Sequence, residues 1–339
     1  MTIIRSYRLY YTVLIIMLVL FFLFEIVFGS LSFSLSQIYR ALIDPQEIDP
    51  VSHILWTLRI PRACTALLAG AALSVCGVQM QTLFRNPLAD PYVLGISSGA
   101  GLGVAFFVMG FSAGASTWVA PWLMNLGITS AAWAGALAVS FLLMVAAKRL
   151  QNTMSLLILG IMIGSVGSAF ISMLQYISSA SALKMYVLWT LGSFVNVGGV
   201  ELFIMAILIA LGLILSVYNI KDLNVLLMGE MYAISLGIKM SGVRRRLFIS
   251  TALLAGSVTA FCGPIGFIGI AVPHLARMIF KNANHKVLIP SCALIGASVM
   301  LFADFLSQLS DPVLPINTVA ALLGIPVIIV IIIQNRYHG

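Results

Sequence analysis

Gly95-Ile96-Ser97-Ser98-Gly99 carries the Gly-x-Ser-x-Gly spacing with which hydrolases expose a nucleophilic serine. That chemistry needs a strand-turn-helix and a positioned base, whereas here the motif opens an apolar segment rich in glycine and alanine. Ser97 and Ser98 therefore read as small hydroxylated groups that line a pathway or let helices approach. His274, in Val272-Pro273-His274-Leu275-Ala276-Arg277, could ligate a metal, but no Cys, Asp or Glu accompanies it, and a packed histidine is the simpler reading. Asp304 stands inside an apolar run, where a carboxylate is a candidate proton carrier by default; a hydrogen bond to a neighbouring helix accounts for it equally well. Cys64, Cys76, Cys262 and Cys292 lie in or beside apolar runs and form no Cys-x-x-Cys pair, which argues against disulfides and zinc. No Gly-x-x-x-x-Gly-Lys-[Ser/Thr] occurs, so the chain has no phosphate loop. No catalytic residue, metal site or cofactor of its own is expected.

Two arginines and a glutamate remain. Arg59 and Arg62 flank Pro61 three residues apart, just before an apolar run. Both can present guanidinium groups at the membrane surface, to lipid phosphate or to carboxylates on a protein partner. Glu230 lies in Leu227-Met228-Gly229-Glu230-Met231-Tyr232-Ala233-Ile234-Ser235-Leu236-Gly237, a short helical pattern ended by glycine and followed by Arg244-Arg245-Arg246. Such a segment is either an interfacial helix beside anionic lipid or a docking element for a soluble partner.

The elements that must position these residues are membrane helices. Of 339 residues, 61% are hydrophobic and 8% charged, with mean hydropathy +1.10, far from the roughly 25% charged residues of soluble domains. Apolar runs of spanning length recur, and no polar stretch is long enough for a soluble domain, so residues 1–339 form one transmembrane domain. We expect an all-α polytopic protein with ten spans near 10–29, 63–84, 92–109, 126–147, 155–176, 200–218, 247–263, 265–280, 288–309 and 315–333. The first run is too long for a signal peptide and lacks an Ala-x-Ala site, so it is retained as a span. With both termini cytoplasmic, fourteen of the 18 Lys and Arg lie inside, leaving Arg40, Arg59, Arg62 and Lys184 outside. The net charge of +8 thus records orientation and not nucleic-acid binding. The largest inside segment, 219–246, contains Glu230.

The chain also repeats itself. Residues 65–77, Thr-Ala-Leu-Leu-Ala-Gly-Ala-Ala-Leu-Ser-Val-Cys-Gly, match residues 251–263, Thr-Ala-Leu-Leu-Ala-Gly-Ser-Val-Thr-Ala-Phe-Cys-Gly, at eight of 13 positions. The copies fall in spans two and seven, which face opposite ways, and each leads into a span broken by proline and glycine. An inverted repeat of spans 2–5 and 7–10 is a transporter architecture.

An ordered series of motifs then carries a resemblance over nearly the full length. These are Leu58-Arg59-Ile60-Pro61-Arg62, Asn86-Pro87-Leu88-Ala89-Asp90-Pro91, Gly95-Ile96-Ser97-Ser98-Gly99-Ala100, Gly229-Glu230 with Leu236-Gly237, Gly263-Pro264-Ile265-Gly266-Phe267-Ile268-Gly269, Pro273-His274-Leu275-Ala276-Arg277 and Leu314-Pro315-Ile316-Asn317. The chain resembles the FecCD-type permease subunits of iron-siderophore, haem and cobalamin ABC importers of the bacterial cytoplasmic membrane.

The resemblance implies a homodimer or close heterodimer with the pathway at its interface. It also implies two cytoplasmic ATPases that bind ATP and Mg, and one external substrate-binding protein. Gly229, Glu230, Ala233, Leu236 and Gly237 match its ATPase-coupling pattern, and Asn152-Thr153-Met154-Ser155 its inner gate. Asn86, Pro87, Ser97, Ser98 and Gly99 are expected along the pathway. Arg59 and Arg62 match a pair that meets glutamates of the binding protein, while Gln308 departs from the family's arginine. The expected cargo is an iron chelate, a siderophore or haem. Cobalamin is the alternative, and an ion-coupled secondary transporter drawing on Asp304 is a further one.

Overall fold

The computed structural model describes the chain apart from residues 1–6, 30, 32, 44–48, 93, 111–120, 151–152 and 336–339. Among the described residues there are fourteen helices and no strand. They are α1 (Arg8–Val27), α2 (Leu35–Ile43), α3 (Pro50–Phe84), α4 (Ile96–Gly110), α5 (Pro121–Arg149), α6 (Thr153–Ile177), α7 (Ala180–Thr190), α8 (Gly199–Tyr218), α9 (Ile220–Leu226), α10 (Glu230–Ser235), α11 (residues 240–262), α12 (Ile268–Phe280), α13 (His285–Gln308) and α14 (Ile316–Asn335). The ten expected spans correspond to α1, α3, α4, α5, α6, α8, α11, α12, α13 and α14. Of these, α1, α3, α5, α6, α8 and α13 are long and apolar enough by themselves to cross a membrane.

The second span begins earlier than its sequence indicates. The apolar run starts at Ala63, yet α3 is helical from Pro50, and Leu55–Arg59 form a π-helical turn within it. Pro61 lacks an N–H and cannot continue a regular ladder; the widened turn just before it lets the helix pass without breaking. Arg59 and Arg62 therefore sit one turn apart on one helix face. Two further helices, α2 and α7, lie between the expected spans. Ser179 caps α7, its side chain accepting from the Ala182 N–H.

α3 is the axis of the fold, buried on nearly every side because its faces are made of Ala, Gly, Ser and Thr. Small residues bring helix backbones into contact where lipid offers no hydrophobic drive. A Cβ on Gly70 would stand 2.1 Å from the Gly296 carbonyl oxygen of α13, and one on Gly77 1.9 Å from that of Gly269 in α12. The Ser74 hydroxyl donates across the first of these contacts to the Cys292 carbonyl, at 2.7 Å.

The two halves exchange partners in the manner an inverted repeat requires. α3 of the first half packs on α12 and α13, and α11 of the second packs on α5. The copies diverge at one place. Gly77 continues its helix, whereas the matching Gly263 takes φ +79° and ends α11.

Candidate functional site

At one end of the bundle α1, α3 and α13 close around charges. The Arg62 guanidinium grips Asp304 in a fork, Nε to Oδ2 and Nη2 to Oδ1, both 2.7 Å, and also reaches Ser307 Oγ at 3.2 Å. Glu25 Oε1 lies 3.9 Å from Arg62 Nε and accepts from the Gln308 amide. Asp304 is therefore an ion-paired carboxylate and not an isolated one. Gln308 occupies itself inside the cluster.

Arg59 is 7% exposed. It donates to the Ile26 and Val27 carbonyls at 2.8 and 3.0 Å and to the Leu31 carbonyl, and lies over the Phe33 ring. It thus satisfies the carbonyl end of α1, where a cation also complements the helix dipole. The expectation that both arginines present their guanidinium groups at the surface is corrected here: each is turned inward by partners far away in the sequence.

The middle of the molecule is organised by the connection 85–95. Asn86 Oδ1 accepts from the Leu88 N–H and Asp90 Oδ1 from the Tyr92 N–H, both at 2.9 Å, two side-chain turns that fold the Asn-Pro-Leu-Ala-Asp-Pro motif. Pro87 is exposed. Asp90 is 3% exposed and abuts Gly269. The Tyr92 hydroxyl accepts from the Ile265 N–H at 2.8 Å, and Asn317 Oδ1 from the Gly266 N–H at 3.1 Å. The two backbone breaks are thereby joined, and the Leu-Pro-Ile-Asn motif acquires a task.

Gly95, at φ +79°, lets α4 begin against Gly160 of α6. Ser98 faces an open groove of about 580 Å³ shared with Gly164, Ser165 and Ser168 of α6. Ser97 is half-buried, and Gly99 is packed against Gly135 and Val139 of α5. No strand lies near Ser97 among the described residues, so a nucleophile elbow is not formed. Nor does any group of three His, Cys, Asp or Glu among them suit a metal.

The other end of the bundle holds the Glu230 segment. α10 is a six-residue helix that starts after Gly229, at φ +112° beside Arg85, and ends in a Schellman motif. The Ile238 N–H donates to the Ala233 carbonyl and the Gly237 N–H to that of Ile234, with Gly237 at φ +81°. Ala233 is buried and forms the inner face. Met231, Tyr232, Ile234 and Leu236 are exposed, Met231 at 80%.

Glu230 is turned inward. Its Oε2 accepts from the Thr153 hydroxyl at 2.6 Å, and its Oε1 pairs with Arg244. Arg246 binds Asp222 at 2.5 Å and Asn219 at 3.0 Å, leaving Arg245 as the exposed member of the basic cluster. Of the four gate residues, Thr153 is buried, Met154 exposed and Ser155 half-buried; Asn152 lies outside the described residues.

The family model described as the FecCD transport family matches residues 17–334. The chain belongs to the FecCD transport family. The FecCD assignment is matched by relatives called vitamin B12 import system permease protein BtuC. The one from Klebsiella pneumoniae is 37% identical over 287 residues, covering 84% of each chain. That from Escherichia coli O9:H4 is 36% identical over 284 residues, covering 83% of this chain and 84% of the relative. A solved inward-facing structure, described as an ABC transporter of metal-chelate type, superposes with a TM-score of 0.81 at 30% identity. It covers 95% of this chain and 97% of the other.

As a FecCD member the chain is an ABC permease subunit, a polytopic membrane protein and not an enzyme, and it works in a complex with ATPase and substrate-binding partners. Sequence reasoning missed the task of Arg244, which stood only as one of the Arg244-Arg245-Arg246 cluster, and the exposed residues between the motif positions of α10. The helical period around Ala233 held that signal: positions flanking a buried alanine must face away from it.

Proposed function

We propose that this chain is the permease of an ATP-driven importer for a metal chelate, with an iron siderophore or haem as its cargo. The observation that carries the reading is the exposed apolar face of α10. Met231, Tyr232, Ile234 and Leu236 stand on a short helix whose polar first residue is held inside the protein. An interfacial lipid anchor keeps its charges outward beside its apolar face, whereas here Arg244 and Arg246 are bound within the chain. A rigid apolar knob with an internally fixed base suits a groove on a soluble partner.

In this reading residues 219–246 are the cytoplasmic coupling segment of one permease domain, and both termini are cytoplasmic in the bacterial cytoplasmic membrane. Two such chains, identical or closely related, pair around the pathway, with two ATPases that bind ATP and Mg below and one substrate-binding protein outside. Arg59 and Arg62 serve the outer docking face indirectly, by fixing α1 and α13 around the end of α3. Ser98, Ser165 and Ser168 give the pathway small hydroxyl groups, suited to a bulky cargo that must not be held tightly.

Cobalamin import is the second reading, favoured by the name of the relatives at 36–37% identity. Uptake of radiolabelled ferric siderophore, haem and cobalamin into vesicles bearing the whole complex decides between them. ATP-dependent uptake of none of the three would overturn the proposal.

A further inference from the structure

Thr153 opens α6, Glu230 opens α10 and Arg244 lies in the second turn of α11, and these three side chains meet in one place. The Thr153 hydroxyl donates to Glu230 Oε2 at 2.6 Å and accepts from Arg244 Nη2 at 2.9 Å. Arg244 Nη2 also pairs with Glu230 Oε1, and Arg244 Nη1 donates to the Leu150 carbonyl at 2.9 Å. Thr153 is 8% exposed and Arg244 3%. Donor and acceptor are both ionised around the hydroxyl, which makes these the strong, short kind of hydrogen bond.

The backbone connects α10 to α9 and α11 but not to α6, which lies 77 residues earlier. The tie between α10 and α6 is therefore made by side chains. α10 itself is stiff for its length, closed by the Schellman motif at Gly237 and seated on buried Ala233. A displacement of α10 against a partner is carried to whatever Glu230 holds, because packed and charge-tied elements move as bodies and do not deform continuously.

We propose that the Thr153 hydroxyl, clasped between Glu230 and Arg244, is the joint through which movement of α10 is passed to the start of α6. Thr153 is then a positioning residue, acting through Glu230 and not on the cargo. This rests on the ATP-driven importer reading, and it predicts a defect in the ratio of cargo moved to ATP hydrolysed.

The test uses the complete complex, with its ATPase and binding protein, in proteoliposomes, with uptake and ATP hydrolysis measured on the same preparation. Thr153→Val keeps the shape and removes the hydroxyl, and is expected to lower cargo moved per ATP about fivefold or more, the range of ordinary coupling between sites. Thr153→Ser restores the hydroxyl and should bring the ratio back near wild type. Glu230→Gln should lower the ratio as well, and the double variant should be no worse than the more severe single one, since both cut the same link.

A Thr153→Val ratio equal to wild type overturns the proposal. If that variant fails to assemble, Glu230→Gln with an unchanged ratio overturns it instead. A wild-type complex that hydrolyses no ATP and imports nothing overturns the importer reading, and the joint with it, before any variant is compared.

Discussion

Arg62 and Asp304, 242 positions apart, form a two-bond fork inside the protein, with both contacts at 2.7 Å. The pair decides what Asp304 is for. A proton carrier needs a carboxylate open to water or to a proton relay, and this one is 1% exposed and held by a guanidinium. An ordinary buried hydrogen bond would contribute about 0.5–1.5 kcal/mol net. Removing one partner of a buried ion pair costs more, about 3–5 kcal/mol, because the other charge is stranded. Glu25, 3.9 Å from Arg62, softens that penalty. We expect Asp304→Asn to lower stability by about 2–3 kcal/mol and Arg62→Met with Asp304→Leu and Glu25→Gln, which leaves no buried carboxyl stranded, to recover most of it. Thermal unfolding of the purified chain measures both, and ATP-driven uptake should persist when a protonophore collapses the proton gradient. An undisturbed melting temperature in Asp304→Asn would contradict the structural role.

Arg59 should behave differently, because its partners are carbonyl groups and a ring, not carboxylates. Arg59→Lys keeps the charge but loses the planar fork that spans several carbonyls and the stacking on Phe33. The expected loss is about 1–3 kcal/mol, with little dependence on salt, since a buried contact to neutral groups is poorly screened. Melting curves of the variant at low and high ionic strength test this. A strong salt dependence would return Arg59 to the outer surface.

The repeat gives a paired test. Gly70 and Gly256 occupy matching positions, six residues into each copy. A Cβ at Gly70 would meet the Gly296 carbonyl oxygen at 2.1 Å and Met300 Cβ at 2.7 Å, so α3 and α13 must part. At Gly256 the nearest atom is Ala136 Cβ at 3.8 Å, an ordinary contact. Gly70→Ala should destabilise by about 1–3 kcal/mol or more, while Gly256→Ala should be neutral or slightly stabilising, as alanine is the better helix former. Equal effects at the two sites would mean that the halves pack alike.

What the sequence made legible follows from which interactions are local. Apolar runs and the matched Thr-Ala-Leu-Leu-Ala-Gly segments depend only on composition and order, and the ten spans could be read from them; the FecCD membership was legible in the ordered motifs from Leu58-Arg59-Ile60-Pro61-Arg62 to Leu314-Pro315-Ile316-Asn317. The Gly229 and Gly237 bounds of α10 were legible for the same reason, as helix starts and stops have local signals. The orientation of Arg59 and Arg62 was not. Their partners, Ile26, Val27, Leu31 and Asp304, are 28 to 242 positions away. Pro61 reads as a helix boundary, and only the π-helical turn at Leu55–Arg59 reveals otherwise. Arg244 hid for a related reason: in Arg244-Arg245-Arg246 the three side chains look equivalent, and only packing sends one to Thr153, one to Asp222 and one to water.

Asp90 and Tyr92 should act as one structural unit between α3 and α4. Asp90 Oδ1 accepts from the Tyr92 N–H at 2.9 Å, and the Tyr92 hydroxyl accepts from the Ile265 N–H at 2.8 Å. Asp90→Asn keeps an acceptor for the Tyr92 N–H and should shift stability by less than about 1 kcal/mol, whereas Asp90→Ala removes it and should cost about 1–3 kcal/mol. Tyr92→Phe leaves the buried Ile265 N–H without its partner and should cost a similar amount. Denaturation midpoints of the three variants against wild type provide the measurement. An Asp90→Ala chain as stable as wild type would mean that the turn holds without its side-chain bond.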